Sequence, residues 1–410
     1  MNILFIYKNF PGQFKHLAPG LVKTGHEVTA LILAKTEATQ WNGVQLVPYS
    51  LSRGNAKEAH PWTVDFESKV IRGEACLKAA LQLKNQGYSP DVIVAHPGWG
   101  ESLFLKEVWT EAKLKLYCEF FYHPRGADVG FDPEFSSSDP ADAGRVTLKN
   151  ANILLQFQQA DAGISPTHWQ ASTFPEHISK KISVIHDGID TEVLRPDPDV
   201  QFALDSGKVL TQKDEVITFV NRALEPYRGF HVFMRSLPTL LKERPNAEVL
   251  IVGKEGVSYG AQPKDGLSWK QQFSNEVFPQ LDESQRSRVH FLNTIPYDRF
   301  IALLKVSTVH VYLTYPFVLS WSLLEAMSVG CSIVASDTQP LREAITHDET
   351  GVLVDFFDPE ALATATISLL NDSDRRSRLS RAAREFAKAN YDLETVCLPK
   401  QLTWVLNDTN

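Results

Sequence analysis

The stretch from Asn2 to Leu33 reads NILFIYKNFPGQFKHLAPGLVKTGHEVTALIL. An apolar run over 2–7 meets a Pro-Gly turn, then a helical stretch over 14–24, a break at Gly25, and a second apolar run over 27–33. Runs that are apolar throughout, instead of alternating, belong to strands covered on both faces, and such strands joined by helices build a parallel sheet. The opening is therefore read as a β-loop-α-β unit. Working outward, strand-like runs recur at 44–48, 91–95 and 114–121, separated by helical stretches over 68–85 and from Glu101. The first half is expected to be a doubly wound α/β domain.

Between Arg195 and Asp214 the pattern weakens into RPDPDVQFALDSGKVLTQKD, whose Pro, Asp and Gly content suits a connector. A second βαβ series follows, with strands expected at 216–220, 247–252, 289–293, 309–314, 332–335 and 351–354. Helices are expected at 230–242, 298–306, 322–329 and 359–370. The sequence thus predicts two Rossmann-like domains facing each other across a cleft. The first covers 1–195 and the second 215–390, with a linker at 196–214; a last helical segment, 391–410, is free to pack back on the first domain. In open α/β sheets ligands bind in the loops after the strands' carboxyl ends, so the chemistry is expected there.

Composition narrows the function. The 410 residues are 43% hydrophobic and 22% charged, a globular make-up, and the length suits two or three domains. Forty-one Lys plus Arg against 49 Asp plus Glu leave a net charge of −8, so no global positive field exists to hold nucleic acid. Cys76, Cys118, Cys331 and Cys397 are far apart in sequence and match no zinc or disulfide spacing. The N-terminal apolar run ends at Lys8, too short for a signal peptide or a membrane span, and predicts a cytoplasmic setting. A basic amphipathic stretch, SDRRSRLSRAAREFAKA at 373–389, is read as a solvated face in preference to a peripheral contact with the inner face of a membrane.

Two loops stand out. NRALEPYRG, 221–229, lies between a buried strand and a helix start, and places Arg222 and Arg228 around a turn. Guanidinium forks match phosphate oxygens, and free amides at a helix start add positive potential; the alternative is that both arginines are surface ion-pair partners, of Glu225 for example. YPFVLSWSLLEAMSVG, 315–330, also joins strand to helix. Its Leu319, Ser320 and Trp321 amides are candidates to meet a phosphate. Glu325, set in an apolar helix, needs donors such as a ribose diol or a capping partner inside the fold. No GxGxxG or GxxxxGK[ST] fingerprint is present, which weakens dehydrogenase and NTPase readings.

NRALEPYRG, IVGKEG, SLLEAMSVG and DTQPLREAITHDETGVLV, in that order, resemble the retaining glycosyltransferases of the GT-B fold, family 4. ISPTHWQASTF and KISVIHDGIDTEVLRP resemble that family's passage between domains. The resemblance implies transfer of a hexose-type sugar from a UDP or GDP sugar to a glycan, lipid-linked or other acceptor, with no cofactor and no metal. It puts Arg222 and Arg228 on the donor pyrophosphate and Glu325 on the nucleotide ribose, as the second glutamate of the family's Glu-x7-Glu motif. The first glutamate's position is occupied by Phe317, a departure from the pattern. It also puts Gly12, with Gln13 beside it, in the N-terminal loop near the donor phosphates, and His123 beside the sugar ring. Gly253 and Ile295 resemble backbone contacts to donor and base. His96 and Trp99, with Glu101, are candidates for the acceptor side. Two other readings stay open: a nucleotide-sugar-binding partner without transferase activity, which Phe317 favours, and a nucleotide-sugar epimerase on the same scaffold.

Overall fold

The computed structural model describes residues 1–33, 36, 38–136 and 139–407. The chain divides into two compact units. The first comprises residues 1–130, 136–188 and 393–410; the second comprises 131–135 and 189–392.

The first unit is built on one eight-stranded sheet in the order β3-β4-β2-β1-β5-β6-β7-β8. In chain order these strands are β1 (Asn2–Ile6), β2 (Glu27–Ile32), β3 (Gln40–Trp41), β4 (Val44–Pro48), β5 (Val92–Ala95), β6 (Lys113–Tyr117), β7 (Ala162–Ser165) and β8 (Ile182–Val184). All neighbours pair in parallel except β3 and β4. Ile3, Leu4, Phe5 and Ile6 of β1 are all fully buried, because helices cover both faces of the central strand. The helix Leu398–Leu406 supplies Trp404 and Val405 to this unit's core beside Ile3, Phe5 and Leu21. Lys115 is buried in β6 and donates to the carbonyls of Trp404 (2.7 Å), Val405 (3.1 Å) and Asn407 (2.7 Å), which satisfies that helix's open carboxyl end. Residues 408–410 of the expected 391–410 segment lie outside the described residues.

The second unit carries a six-stranded, all-parallel sheet in the order β13-β12-β11-β14-β15-β16. Its strands are β11 (Val216–Ala223), β12 (Glu248–Lys254), β13 (Val289–Asn293), β14 (Val309–Tyr312), β15 (Ser332–Ser336) and β16 (Val352–Val354). Between the units' sheets in sequence lies a small antiparallel pair, β9 (Phe202–Ala203) with β10 (Val209–Leu210). The stretch 196–214, read above as a connector, holds this pair, and Phe202, Leu204 and Leu210 are buried in the second unit's core. Its Pro and Asp content hid three apolar anchors spaced too widely to register as a periodic element.

Arginines of the helix Ser373–Tyr391 are engaged inside the second unit. Arg375 and Arg378 reach Asp348. Arg376 reaches the carbonyls of Leu369 and Leu370, and Arg384 those of Leu194, Thr191 and Ser328. Among the described residues no helix is long and apolar enough to cross a membrane.

Candidate functional site

In the second unit the loop after β11 is shaped by a buried acid. Glu225 accepts hydrogen bonds from the amides of Ser258 (3.1 Å), Tyr259 (3.2 Å) and Gly260 (2.9 Å), and so folds the 255–260 segment over the loop. This overturns the alternative in which Glu225 pairs with the arginines: among the described residues its carboxylate makes no ion pair. Gly253, at the end of β12, lies against the same loop. A Cβ there would stand 2.7 Å from Leu224 Cδ2 and 3.0 Å from the Asn221 carbonyl, so a side chain would push Leu224 aside and crowd that carbonyl. The short turn Pro226–Arg228 ends at Gly229, whose φ is +68° and whose Cβ would meet Leu313 Cβ at 2.3 Å.

The two arginines part company. Arg228 is buried, and its Nη1 donates to Thr314 Oγ1 (2.7 Å), the Val318 carbonyl (3.3 Å) and Tyr312 Oη (3.4 Å). Its guanidinium also lies 5.2 Å from the Tyr259 ring centroid. Burial works against its charge, but Tyr312, Tyr259 and Tyr227 outweigh that effect and hold its pKa above the ordinary arginine value. Arg222 is exposed on β11 and makes no hydrogen bond or ion pair among the described residues.

The segment after β14 leads into the helix Trp321–Ser328. Tyr312 Oη receives both Arg228 and the Ser320 amide (3.1 Å), tying the guanidinium to this helix's start. The Ser320 amide is thereby occupied, and the Ser320 side chain accepts from the Ser322 amide as N-cap. Leu319 is buried and Trp321 half-buried at that start. Phe317, at the position of the absent glutamate, is 3% exposed and packs edge-on against Tyr227 (5.2 Å) and Tyr259 (5.1 Å). Tyr315 completes the cluster, 4.8 Å from Tyr227. An aromatic wall therefore stands beside Arg228 where the family pattern has a carboxylate.

Glu325 lies on the same helix, buried, and its Oε1 accepts from Tyr297 Oη at 2.6 Å. That contact joins the helix to the loop after β13, where Ile295 is half-buried against the unit's core. Burial and the adjoining carboxylate push the Tyr297 phenol well above its usual range, so it stays a donor at neutral pH.

A second polar cluster in this unit has no counterpart in the sequence reading. Residues 131–135 leave the first unit's chain path to belong to the second. There Asp132 accepts from Tyr315 Oη (2.8 Å) and lies 3.1 Å from His231 Nε2, while Glu134 pairs twice with Arg235 at 2.7 Å. Burial works to raise the Asp132 carboxyl, and the bonds from His231 and Tyr315 outweigh it, holding the group below the usual carboxylate range. Asp132, Glu134 and His231 each bring one atom within 4.8 Å of the others, the spacing of a cation site. Arg235 and His231 already meet those carboxylates.

In the first unit, Gly12 has φ +45° and a Cβ there would stand 2.2 Å from Tyr7 Cε1. Gln13 donates to Glu119 Oε1 at 3.4 Å. His96 stacks between the rings of Tyr7 (5.1 Å) and Tyr117 (5.6 Å); its Nδ1 accepts from the Gly98 amide, and its Nε2 lies 3.5 Å from Glu119. Glu119 thus gathers Gln13 and His96. His123 sits apart from them, with Nε2 2.6 Å from the Thr173 carbonyl, an acceptor for a hydrogen bond from that nitrogen. Trp99 lies under the Lys8 ammonium, 3.6 Å from the ring centroid.

The model of the glycosyl transferase family 4 group matches residues 24–194, and that of glycosyl transferases group 1 matches residues 202–386. The chain belongs to the group 1, family 4 glycosyltransferases. One curated relative is the glycogen synthase of Mycobacterium tuberculosis, 25% identical over 93% of this chain and 87% of that protein. Another is the D-inositol 3-phosphate glycosyltransferase of Corynebacterium efficiens, 27% identical over 59% of this chain and 53% of its own length. Among solved structures, sucrose-phosphate synthase from Thermosynechococcus elongatus superposes with a TM-score of 0.72 at 18% identity, covering 98% of both chains. Anabaena HepE, solved with UDP and glucose, gives 0.66 at 15% identity over 99% of both. At such identities the structures establish a shared fold, that of the GT-B glycosyltransferases.

Within this glycosyltransferase the structure ties Arg228 to the start of the Glu325 helix through Tyr312, and leaves Arg222 outside that network. Sequence reading missed Tyr312, Tyr297, Tyr259 and the Asp132–His231–Tyr315 cluster. A tyrosine at a strand end carries no local signal of what its hydroxyl will meet.

Proposed function

We propose that this glycosyltransferase moves a hexose-type sugar from a UDP or GDP sugar to a glycan, lipid-linked or other acceptor, with retention of anomeric configuration and without a metal. In this reading residues 215–390 take the donor and residues 1–195 the acceptor. The observation that carries the proposal is the buried, charged Arg228, fixed by Thr314, Val318 and Tyr312 beside the helix that bears Glu325. A guanidinium held rigidly out of water is suited to the negative charge that grows on a departing diphosphate, and such preorganised stabilisation is worth roughly 2.7–4 kcal/mol per donor group. Arg222, unengaged and exposed, adds a second cation that can turn to the phosphates. Glu325 accepts from the ribose diol. The leaving phosphate takes the acceptor's proton, as fits a site with no paired carboxylates assigned to acid–base work.

Gly12, Gln13 and Gly253 let backbone approach the donor, Ile295 lies by the base, and Leu319, Ser320 and Trp321 line the helix start beneath the phosphates. His123 presents Nδ1 to the sugar. Support also comes from the D-inositol 3-phosphate glycosyltransferase, whose name records glycosyl transfer, and from HepE, solved with UDP and glucose. The second reading, a nucleotide-sugar-binding partner without turnover, is favoured by one observation, the buried Phe317 in its aromatic wall. Thermal-shift screening against UDP, GDP, ADP and TDP, then mass spectrometry with the matching donor sugars, separates the two. Transfer or slow donor hydrolysis supports the transferase; nucleotide binding with intact donor supports the binding partner; interconverted donor identifies an epimerase.

A further inference from the structure

Trp99 Nε1, in the turn after β5, is buried without a hydrogen-bond partner among the described residues. An unsatisfied buried donor is costly, and an oxygen of a bound group can complete its bonding. Two cations lie beside it. Lys8, just past β1, holds its ammonium 3.6 Å from the Trp99 ring centroid. Arg72, on the helix Val64–Asn85, has its guanidinium carbon 5.9 Å from the same centroid and donates to the Trp99 carbonyl at 3.3 Å. Among the described residues neither cation has a carboxylate within ion-pair distance. Glu101, the nearby acid, is buried and receives Tyr49 Oη at 3.2 Å. Burial raises the Glu101 carboxyl, with Arg72 and the Tyr49 bond acting against it. Desolvation and the neighbouring Arg72 lower the Lys8 ammonium, against an opposing pull from Glu101. Two partly dehydrated cations converging on one indole, with no carboxylate at ion-pair distance, repel each other, and an incoming anion relieves that repulsion.

We infer that the acceptor carries an anionic group, phosphate or carboxylate, received by Lys8 and Arg72 beside the Trp99 ring. The inference rests on the transferase reading for the word acceptor, but the anion site itself does not. Phosphate is bridged by the guanidinium fork and the ammonium, and the indole offers its Nε1–H to an oxygen.

The test uses the full chain with UDP at saturating concentration, to keep phosphate from the donor arginines, at constant ionic strength. Inorganic phosphate and glucuronate are titrated by calorimetry and by tryptophan fluorescence. The expected result is millimolar binding of at least one anion, weakened about tenfold or more by Lys8→Met and by Arg72→Met. Lys8→Arg, which keeps the charge, retains it, and Trp99→Phe removes the fluorescence change. Which anion binds tells phosphate from carboxylate. UDP affinity is expected to stay within about twofold in every variant, within measurement scatter. If Lys8→Met fails to fold, Arg72→Met and the wild-type titration carry the test. Absence of binding to both anions, or binding indifferent to Lys8 and Arg72, overturns the inference. Anion binding that depends on both residues in a chain that shows no affinity for any nucleotide upholds the site and sinks the donor reading instead.

Discussion

Replacing Glu325 by Gln tests the ribose assignment. In the free protein the carboxylate accepts Tyr297 Oη at 2.6 Å, a charge-assisted bond. A ribose diol would add two more. Bonds to a charged group contribute about 1.5–3 kcal/mol and neutral ones about 0.5–1.5, so each diol bond loses about 1 kcal/mol in the amide. The Tyr297 bond weakens in free and bound protein alike and cancels if the phenol stays in place. Two diol bonds then predict a loss near 2 kcal/mol, a rise in the nucleotide dissociation constant of about 30-fold. If ribose displaces Tyr297, the weaker competitor returns part of this and the rise falls to about fivefold. Tyr297→Phe discriminates between the two, tightening nucleotide binding only in the displacement case. Isothermal titration with the preferred nucleoside diphosphate reads both variants, and the isosteric exchange leaves the helix packing intact. A dissociation constant within about twofold of wild type for Glu325→Gln removes this residue from the ribose.

Three other outcomes are expected. Glu225→Ala strands the amides of Ser258, Tyr259 and Gly260, and should lower stability by about 2–4 kcal/mol in denaturant titration, with donor KM rising as Tyr259 leaves Arg228; an unchanged midpoint contradicts the anchoring role. Phe317→Glu, which restores the family's residue, buries a carboxylate between Tyr227 and Tyr259 and should cost about 2–5 kcal/mol, read as a fall in melting temperature; a variant as stable as wild type shows that the wall has room and donors for an acid. Asp132 has a folded-state pKa below its unfolded value of about 3.9, so it contributes stability above that pH which disappears as pH falls through the lower folded value. Asp132→Asn should therefore flatten the stability profile below about pH 4 and sit below wild type at pH 7; parallel profiles refute the coupling to His231 and Tyr315.

Much of the fold was legible because its signal is local. Ile3 to Ile6 and the β11 run are continuously apolar, and both are central strands covered on two faces. The apolar anchors of the 196–214 stretch were not legible, because Phe202, Leu204 and Leu210 are separated by charged and turn residues, and only the tertiary structure shows that they share one core. The loop 221–229 was found from its arginines, but the role of Glu225 was not, since its partners lie 33 to 35 residues downstream and are backbone amides. The Asp132–Tyr315 bond spans 183 residues, beyond the reach of any spacing rule. Phe317 was visible as a departure in the sequence, while the aromatic wall that explains its burial required Tyr227 and Tyr259 to be seen together.

The central claim is that buried Arg228 stabilises the charge of a departing nucleoside diphosphate. Its most direct test is the steady-state release of nucleoside diphosphate from the donor sugar by Arg228→Ala, with kcat and donor KM measured separately and folding checked by circular dichroism. The account predicts a fall in kcat of about 100-fold or more against a change in KM below about tenfold, because the charge Arg228 meets is larger in the transition state than in the bound donor. An unchanged kcat, or losses in binding that match the loss in turnover, would contradict it.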